Sequence, residues 1–508
     1  MFDLYRKLVS REQMAGVDEK AVTETDQSIP SSQANVQADT ERPVLPPKIT
    51  IPRDSHPISR RQLSKNALKV LYRLKDAGFD AYLVGGCIRD LLLGIKPKDF
   101  DVVTNAKPEE IKALFNNCRL IGRRFRLAHI VYGREIIEVA TFRGHHDQAV
   151  DDAKKKNISS HSDEGLILRD NIYGSIEEDA ERRDFSINAL YYSINDFSII
   201  DYANGVEAIH QRKIDIIGDP ETRYREDPVR MLRAIRFASK LDMTIAPETA
   251  EPIERLGHLL SNIPAARLYE EALKLFLSGD AEANYKLLRQ YKLFRYLFPV
   301  IQSVLNGDPD SKEERLIRQV FINTDERIRN NKKVTPAFLY AALLWYPLEA
   351  HTLRLVHEGG LRYYDAFQIA CNEVLEMHCR HSSLPRRFST PAREIWQLQL
   401  RLPKTSGRRA FRLIEHPKFR AAYDFLLVRA QIEGGDLKPL ADWWTNFQES
   451  DEVAQQTLAN KPSGGRNQGK SSSNRNNKNY RPRRRSQRNR QGGSGQGNSG
   501  KAQKLSNS

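Results

Sequence analysis

Residues 85–90 read Gly85-Gly86-Cys87-Ile88-Arg89-Asp90, and residues 99–101, nine positions further on, read Asp99-Phe100-Asp101. The apolar run over residues 81–84 predicts a strand that leads into the glycine pair, and the glycines predict the opening of a short helix over residues 87–93. A second strand is expected over residues 99–104. Because side chains alternate between the two faces of a strand, Asp99 and Asp101 are expected to project from the same face.

Two carboxylates on one strand face repel each other unless cations lie between them. Mg²⁺ prefers oxygen ligands and binds through one or two carboxylates together with substrate phosphates. Gly85 and Gly86 leave room for backbone N–H groups to approach phosphate oxygens, while Arg89 could add a charged fork and Asp90 could brace the loop. Taken alone, the glycine pair would be explained by a tight turn, and the two aspartates would be explained by a solvated strand edge. Their order instead favours a site for a triphosphate, with the two aspartates as metal ligands.

Composition limits the class of protein. The 508 residues carry a formal net charge of +15, with 80 basic and 65 acidic side chains. Residues 461–508 hold 13 of the basic residues and no acidic one, so the remainder is close to neutral. The four cysteines form no C-x-x-C pair, which favours a reducing cytosol. No transmembrane segment is expected, although the spacing of apolar residues at positions 2–9 leaves open a peripheral position at the inner membrane surface.

The pattern along the chain predicts an α+β protein, in which a small mixed α/β head precedes an extended all-α neck and body, with disordered termini. Ser64 is the expected N-cap of the first helix, which Gly78 ends. A helix over residues 108–117 and strands over 127–132 and 135–142 follow. The His145-His146-Asp147 cluster fits a mobile loop better than a metal site. The predicted units are a leader at 1–60, a head at 61–195, a neck at 196–265, a body at 266–450 and a tail at 451–508.

The segment Arg182-Arg183-Asp184-Phe185-Ser186-Ile187-Asn188-Ala189-Leu190 is predicted to be helical. On a helix, Asp184 and Asn188 would share a face because they are four residues apart. An arginine, a carboxylate and an amide on one face suit a ribose hydroxyl and a triphosphate. Surface ion pairs would explain the same residues, and both interpretations stay open at this point.

The segment from Glu226 to Ala238 is also predicted to be helical. At 100° per residue, Glu226, Arg230 and Arg233 would form one polar stripe with Asp227 at its margin. Alternating carboxylates and guanidinium groups can offer acceptors and rigid donor forks to the edge of a base. The alternative is a helix face that is stabilised only by its own ion pairs.

Together these segments resemble the class II nucleotidyltransferases, the family of the CCA-adding enzymes and the bacterial poly(A) polymerases. The resemblance implies that the GG-x-x-RD and D-x-D segments bind phosphate and metal ions. It also implies that Arg183 and Asp184 contact the nucleotide sugar, and that Glu226, Asp227 and Arg230 select the base. Asn188 and Arg233 are further nucleotide-binding candidates.

Residues 120–129, Leu168-Arg169-Asp170-Asn171 and the arginine-rich tail look like the polymerase branch of this family. The helical half has no counterpart of the His-Asp phosphohydrolase pattern found in some CCA-adding enzymes. The resemblance therefore implies a template-independent adenylyltransferase of mRNA processing, which adds AMP from ATP to RNA 3′ ends. A CCA-adding enzyme and a nonenzymatic RNA-binding scaffold are the alternatives.

The resemblance further implies two Mg²⁺ ions, held by Asp99 and Asp101. It favours Asp184 as the third catalytic carboxylate, whereas Glu138, on a predicted strand, is the positional rival. The expected partners are RNA 3′ ends and ATP, with the tail on RNA phosphates or acting only as a solubiliser. RNA-decay proteins are further candidate partners, and the chain is expected to be a monomer.

Overall fold

The computed structural model describes residues 45–122, 126–144 and 172–460, and the backbone of residues 159–161 and 167–170. Arg123, Arg124 and Phe125, the His145-His146-Asp147 cluster, Asn171, the first 44 residues and the tail from residue 461 lie outside the described residues. The strands are β1 Ile49–Ile51, β2 Ala81–Val84, β3 Asp101–Thr104, β4 Cys118–Ile121, β5 Leu127–Tyr132, β6 Glu135–Thr141, β7 Ser159–His161, β8 Ile167–Asp170, β9 Leu190–Ser193, β10 Ile199–Asp201, β11 Lys213–Ile214 and β12 Thr244–Ile245.

Helices surround the strands of the first half and make up the second half. In the first half they are α1 Lys65–Asp76, α2 Gly86–Leu92, α3 Pro108–Leu114, α4 Ile176–Glu181, α5 Gly205–His210, α6 Pro220–Glu226, α7 Val229–Leu241 and α8 Pro247–Leu256. In the second half they are α9 Ala265–Phe276, α10 Ala281–Gln290, α11 Phe294–Leu297, α12 Pro299–Gln302, α13 Lys312–Arg329, α14 Pro336–Leu343, α15 Trp345–His357, α16 Tyr363–His381, α17 Arg386–Gln399, α18 Arg408–Ile414, α19 Phe419–Glu433, α20 Leu437–Glu449 and α21 Glu452–Asn460. Short 3₁₀ helices cover Arg53–Ser55, Arg60–Gln62, Ser186–Asn188 and Gly257–Asn262.

Eight strands form one mixed sheet in the order β1-β10-β9-β2-β3-β6-β5-β4. Strand β3 lies between β2, to which it is antiparallel, and β6, to which it is parallel. Strand β1 pairs with β10, so regular structure begins earlier than the expected start near Ser64. Both strands lie outside the predicted head at 61–195. The other unit boundaries stay predictions.

The first helix forms where the sequence predicts it. The Ser64 hydroxyl accepts hydrogen bonds from the backbone N–H groups of Asn66 and Ala67, at 3.2 and 3.3 Å, and so satisfies two donors that a helix start leaves open. Gly78, just after the helix, has a φ of +86°, which glycine adopts without a steric penalty. Val70 and Leu71 on this helix are fully buried against the sheet, and they hold α1 over β2 and β3.

Buried tryptophans pack inside the helical half and donate hydrogen bonds to backbone carbonyls. The indole N–H of Trp396 donates to the carbonyl of Ala341 at 2.7 Å, and that of Trp444 donates to the carbonyl of Leu402 at 3.0 Å. Helix α21 continues the helical structure to residue 460, into the predicted tail. No helix in the described ranges is long and apolar enough to cross a membrane.

Three elements that carry motif residues differ from the prediction. Strand β3 begins at Asp101, so Asp99 lies in the preceding loop rather than on the strand. Residues 182–190 are not a helix: a 3₁₀ turn follows Phe185, and Leu190 starts β9, because pairing with β2 and β10 outweighs local helical periodicity. The predicted helix from Glu226 is two helices that break at Pro228, which has no N–H to continue the first one.

Candidate active site

The sheet register brings the D-x-D segment to the glycine pair. Asp101 lies opposite Val84 in the antiparallel pair β2–β3, and Gly85 follows Val84 directly. Gly85 has a φ of +73°, and a Cβ there would lie 3.6 Å from Nη1 of Arg183. A side chain at this position would therefore be strained by the backbone conformation and would contact the arginine. The sheet register therefore places Asp101 beside the predicted glycine pair.

A third carboxylate lies beside Asp101. The parallel pair β3–β6 aligns Val102 with Val139, so Glu138 is the neighbour of Asp101 on the adjacent strand, and strand alternation places both on the same face. Both side chains are exposed to solvent. We refer to Asp99, Asp101 and Glu138 as the carboxylate edge. His129 Nε2, on β5, lies 3.2 Å from the Glu138 carboxylate.

The electrostatics of the carboxylate edge favour a bound cation. Desolvation by the surrounding protein, reinforced by the charges of Glu138 and Asp99 and opposed by that of Arg183, raises the pKa of Asp101 to about 6. A carboxyl group whose ionised form is disfavoured in this way is stabilised when a divalent cation neutralises its neighbours. The chemistry of these oxygen donors fits Mg²⁺. In the described part of the chain, however, no three His, Cys, Asp or Glu side chains form a complete metal site by themselves. Substrate phosphates would have to supply further oxygen ligands.

Arg183 lies beside Gly85 and is held there by neighbouring side chains. Its Nε and Nη2 donate to Asp179 at 3.1 and 2.9 Å, Nε also donates to the Tyr191 hydroxyl at 2.9 Å, and the guanidinium stacks over the Tyr191 ring. Although burial would lower it, the pKa of Arg183 is raised by Asp179 and Tyr191. Arg183 is therefore a fixed positive charge next to the glycine turn.

Arg89 does not offer its guanidinium to solvent, contrary to the expectation of a charged fork. It is buried, donates to Asp90 through Nε at 2.9 Å and Nη2 at 2.6 Å, and donates to the Asn188 side chain through Nη1 at 2.5 Å. The expected bracing role of Asp90 matches these bonds. Arg89 and Asn188 connect α2 to the loop before β9 rather than lining an open surface.

Asp184 is also buried and contacts other protein groups. One carboxylate oxygen accepts from the backbone N–H of Phe185 at 2.9 Å and from Asn188 at 3.1 Å, and the other lies 2.5 Å from Nη2 of Arg233. Burial alone would raise the pKa of Asp184, but Arg233 and Asn188 keep it below its usual value. Asp184 is not among the charges that shift the pKa of Asp101. Its contacts give no support to its predicted role as the third catalytic carboxylate.

The two helices at Pro228 keep part of the predicted stripe. Glu226 accepts from Nη1 of Arg230 at 2.8 Å across the break, and Arg230 is buried. The Asp227 carboxylate instead accepts a hydrogen bond from Nη2 of Arg267 on α9, at 2.7 Å. Arg233 pairs with Asp184, and Pro228 separates Glu226 from the helix that carries Arg230 and Arg233, so the predicted stripe of three residues does not lie on one continuous helix. We refer to Arg89, Asn188, Asp184, Arg233, Glu226 and Arg230 as the paired wall.

Four residues that build this site were absent from the predicted set. Asp179 and Tyr191 orient Arg183, Arg267 holds Asp227, and Arg223 donates to Glu226 at 2.6 Å. The i, i+4 spacing of Asp179 and Arg183 was a usable signal in the sequence. The i, i+3 spacing of Arg223 and Glu226 was a second signal. Tyr191 and Arg267 depend on contacts between separate segments, which spacing does not reveal.

Three family models match this chain. The model described as "Poly A polymerase head domain" matches residues 81–215, and "Probable RNA and SrmB- binding site of polymerase A" matches residues 242–305. The model described as "Polymerase A arginine-rich C-terminus" matches residues 359–490. The matches follow the chain from the sheet through the helical half and into the tail.

Similarity to known proteins separates the two branches of the family. Poly(A) polymerase I of Salmonella typhimurium is 56% identical over 427 residues, which cover 84% of this chain and 91% of that protein. The CCA-adding enzyme of Bacillus pumilus is 35% identical over 232 residues, which cover 46% of this chain and 54% of that enzyme. The similarity to the polymerase includes most of both chains, whereas the similarity to the CCA-adding enzyme covers less than half of this one.

The fold is found in solved structures. The Thermotoga maritima CCA-adding enzyme complexed with tRNA aligns with a TM-score of 0.51 and 19% sequence identity, over 80% of this chain and 89% of that chain. At this level of identity the likeness supports a common fold only.

Proposed function

Because the chain belongs to the family of bacterial poly(A) polymerase I, we propose that it is a template-independent polynucleotide adenylyltransferase that adds AMP from ATP to RNA 3′ ends. The observation that carries this proposal is the 56% identity to a poly(A) polymerase I over 84% of the chain. The carboxylate edge supplies the chemistry that such a transferase needs.

Asp99 and Asp101 hold two Mg²⁺ ions in this proposal. When bound, the ions lower the pKa of the primer 3′ hydroxyl and neutralise the triphosphate as pyrophosphate leaves. Asp101, opposite Val84 at the glycine turn, and Asp99 in the preceding loop would hold these ions. The raised pKa of Asp101 supports the assignment, because it is the group that gains most from a nearby cation.

Glu138 is the third carboxylate in this proposal, in place of Asp184. Glu138 is the direct strand neighbour of Asp101 and acts on its charge, whereas Asp184 is buried and paired with Arg233. Asp184 holds the position of the nucleotide-binding loop instead. His129, across the next strand, orients the Glu138 carboxylate.

Nucleotide binding uses both sides of the glycine turn. Arg183 faces the triphosphate over Gly85 and Gly86, where the missing side chains allow close approach. Glu226 and Arg230 present one carboxylate and one guanidinium to the base edge, with Asp227 beside them. Arg89, Asp90, Asn188 and Arg233 keep these groups in place through the bonds of the paired wall.

The RNA and the cellular setting form the last part of the proposal. The 13 basic residues of the tail contact RNA phosphates. The enzyme works as a cytoplasmic monomer, with RNA-decay proteins as candidate partners and a peripheral position at the inner membrane surface as an alternative.

A primer assay with single nucleotides tests the reaction. Purified protein is incubated with a labelled RNA primer, Mg²⁺ and either ATP, CTP, GTP or UTP. A long product with ATP alone is expected. Addition of C, C and then A with a stop would instead identify a CCA-adding enzyme. If no metal-dependent pyrophosphate release occurs, the remaining alternative is that the protein is a nonenzymatic RNA-binding scaffold.

A further inference from the structure

Arg236 on α7 is a partly buried arginine whose guanidinium group has no acceptor among the described residues. Its Nε atom is shielded from solvent and makes no hydrogen bond, and the side chain forms no ion pair in the described ranges. By contrast, Arg233, one turn earlier on the same helix, lies 2.5 Å from the Asp184 carboxylate. A guanidinium that is withdrawn from water without gaining an acceptor is unfavourable in the protein alone, and an anionic ligand would remove this cost.

The charges around Arg236 leave its positive charge unbalanced. Burial and the positive charge of Arg233 lower the pKa of Arg236, whereas Glu271 and Asp184 act in the opposite sense. Glu271, on α9, pairs with Lys274 at 2.8 Å, and Asp184 pairs with Arg233. The carboxylates that act on Arg236 are therefore in contact with other cations.

The ring of Phe237 connects Arg236 to the glycine turn. Phe237 is buried, and three guanidinium carbons lie near its ring centroid, those of Arg236 at 4.7 Å, Arg89 at 5.2 Å and Arg233 at 5.9 Å. Arg89 lies in turn beside Gly86, where an added Cβ would be 3.4 Å from its Nη2. Arg236 is therefore near the candidate active site and not on a remote surface.

Arg236 belongs to a row of cations on α7. Arg233, Arg236 and Lys240 are spaced three and four residues apart, so they lie along one face of the helix. Lys240 is 41% exposed and lies 3.9 Å from Asp90, which also accepts from Arg89. The row extends about 10 Å along the helix axis, at 1.5 Å per residue. A face of this kind suits the phosphates of a polyanion.

Two substrates of the proposed reaction carry phosphates, ATP and the RNA primer. The proposed function already places the triphosphate of ATP at Gly85, Gly86 and Arg183. Arg236 lies two turns beyond Arg230 on α7, and Arg230 is one of the groups proposed to meet the base. The phosphates of the primer are therefore the ones left for Arg236.

We propose that Arg236 binds a phosphate of the RNA primer near its 3′ end, with Lys240 beside it. This inference rests on the proposed function, because it takes RNA as a substrate. The planar guanidinium can donate two parallel hydrogen bonds to phosphate oxygens. Arg236 thereby holds the primer end next to the bound nucleotide and takes no part in the transfer of AMP.

The first test measures KM for a short single-stranded RNA primer and for ATP, each with the other substrate saturating, in Arg236→Gln. We expect KM for the primer to rise about tenfold, as for one lost hydrogen bond between charged groups, with KM for ATP and kcat little changed. The slope of log affinity against log salt should become shallower by about 0.7, as for one phosphate of a single strand. Arg236→Lys, which keeps the charge, should restore part of the loss.

The matched control is Arg225→Gln, which removes an exposed arginine that pairs with Glu221. It should leave both KM values and the salt slope at their wild-type values. A rise in KM for ATP alone in Arg236→Gln would assign this arginine to the triphosphate and overturn the inference.

Primers in which one phosphate at a time is replaced by a neutral methylphosphonate locate the contact. At the phosphate that Arg236 binds, the replacement should weaken binding to the wild type but cause no further loss in Arg236→Gln, because that interaction is already absent. At the other phosphates the two losses should add. Losses that add at every position would contradict a contact between Arg236 and the primer backbone.

The melting temperature of Arg236→Gln without RNA separates binding from a structural role. Because the substitution removes a desolvated charge that has no partner, the melting temperature should equal or exceed that of the wild type. A lower melting temperature with equal losses for RNA and ATP would make Arg236 a structural residue and overturn the inference. A wild-type protein that binds RNA but incorporates no AMP would instead overturn the proposed function, while the binding measurements would still test Arg236.

Discussion

The carboxylate edge and the paired wall differ in how the charges of their carboxylates are balanced. Asp101 and Glu138 are exposed like charges on neighbouring strands, whereas Asp184 is buried and lies 2.5 Å from an arginine. Surroundings raise the pKa of Asp101 and lower that of Asp184. In the proposed enzyme, bound metal ions would balance the charge of the edge, whereas Asp184 of the paired wall has its counter-charge in Arg233.

The largest expected effect comes from Asp101→Asn, which tests the edge. Loss of a metal-binding carboxylate should lower AMP incorporation by about a thousandfold, the equivalent of about 4 kcal/mol of transition-state stabilisation. The raised pKa means that ionised Asp101 is unfavourable in the folded protein, so stability at this site decreases as pH rises towards 6. The amide removes that cost. Its melting temperature without metal should therefore exceed that of the wild type at neutral pH.

The control for this variant is Asp80→Asn, immediately before β2 at the end of the strand away from Gly85. It should keep wild-type incorporation. Retained activity in Asp101→Asn, or a lower melting temperature at neutral pH, would contradict the contrast between edge and wall.

Asp184→Asn tests the wall and should show the opposite thermal behaviour. Removing one member of a buried ion pair leaves Arg233 uncompensated, and because the Arg233 side chain is 37% exposed we expect a loss of about 2 kcal/mol in the free energy of unfolding. The lowered pKa of Asp184 means that this stabilisation is present at neutral pH and is lost as the pH falls. Urea unfolding at pH 7 measures the loss. Asp242→Asn, at a fully exposed carboxylate, should change the free energy by less than about 0.5 kcal/mol.

Deleting residues 461–508 tests whether positive charge outside the site binds RNA. For single strands, the slope of log affinity against log salt should become shallower by about 3 for every four phosphates that the tail neutralises. Filter binding from low to high salt measures this slope. A chain in which the 13 basic residues are replaced by glutamine controls for length. Equal slopes in all three proteins would make the tail a solubiliser.

The smallest expected effect is a shift of the pH profile. Incorporation should fall as the pH drops below about 6, because protonated Asp101 no longer binds a cation. Glu138→Gln removes one of the like charges that raise this pKa, so the acidic limb should move to lower pH by a fraction of a unit. Glu135→Gln, on the same strand but hydrogen-bonded to Asn66, should leave the limb in place. An acidic limb that stays in place in Glu138→Gln, or that moves in Glu135→Gln, would contradict the effect of Glu138 on the pKa of Asp101.

The sequence predicted those features that depend on neighbouring residues. The Ser64 cap, the glycine turn after β2 and the hairpin of β5 and β6 follow from local spacing, and all three are present. The prediction failed where distant pairing decides the structure. Leu190 joins a strand because β2 and β10 lie on both sides, and no helical period in residues 182–190 can show this.

Roles within the site were predicted less well than its members. The periodic stripe placed Glu226, Arg230 and Arg233 on one helix, but the helix that carries the two arginines begins after Pro228, and Arg233 pairs with Asp184. Arg89 has the residue type of a phosphate ligand, yet its three hydrogen bonds are internal. Residue type shows which chemistry is available, whereas only the three-dimensional contacts show whether a group is already satisfied.

The three residues Ile49–Ile51 limit where the protein can be shortened. They form an edge strand of the large sheet and pair with the neighbouring strand, Ile199–Asp201. A version that starts at residue 61 would lose this short edge strand and leave the N–H and C=O groups of the neighbouring strand unpaired, and unpaired sheet edges recruit strands from other molecules. Self-association after such trimming would result from the truncation, whereas a start at or before residue 45 keeps the edge strand in place.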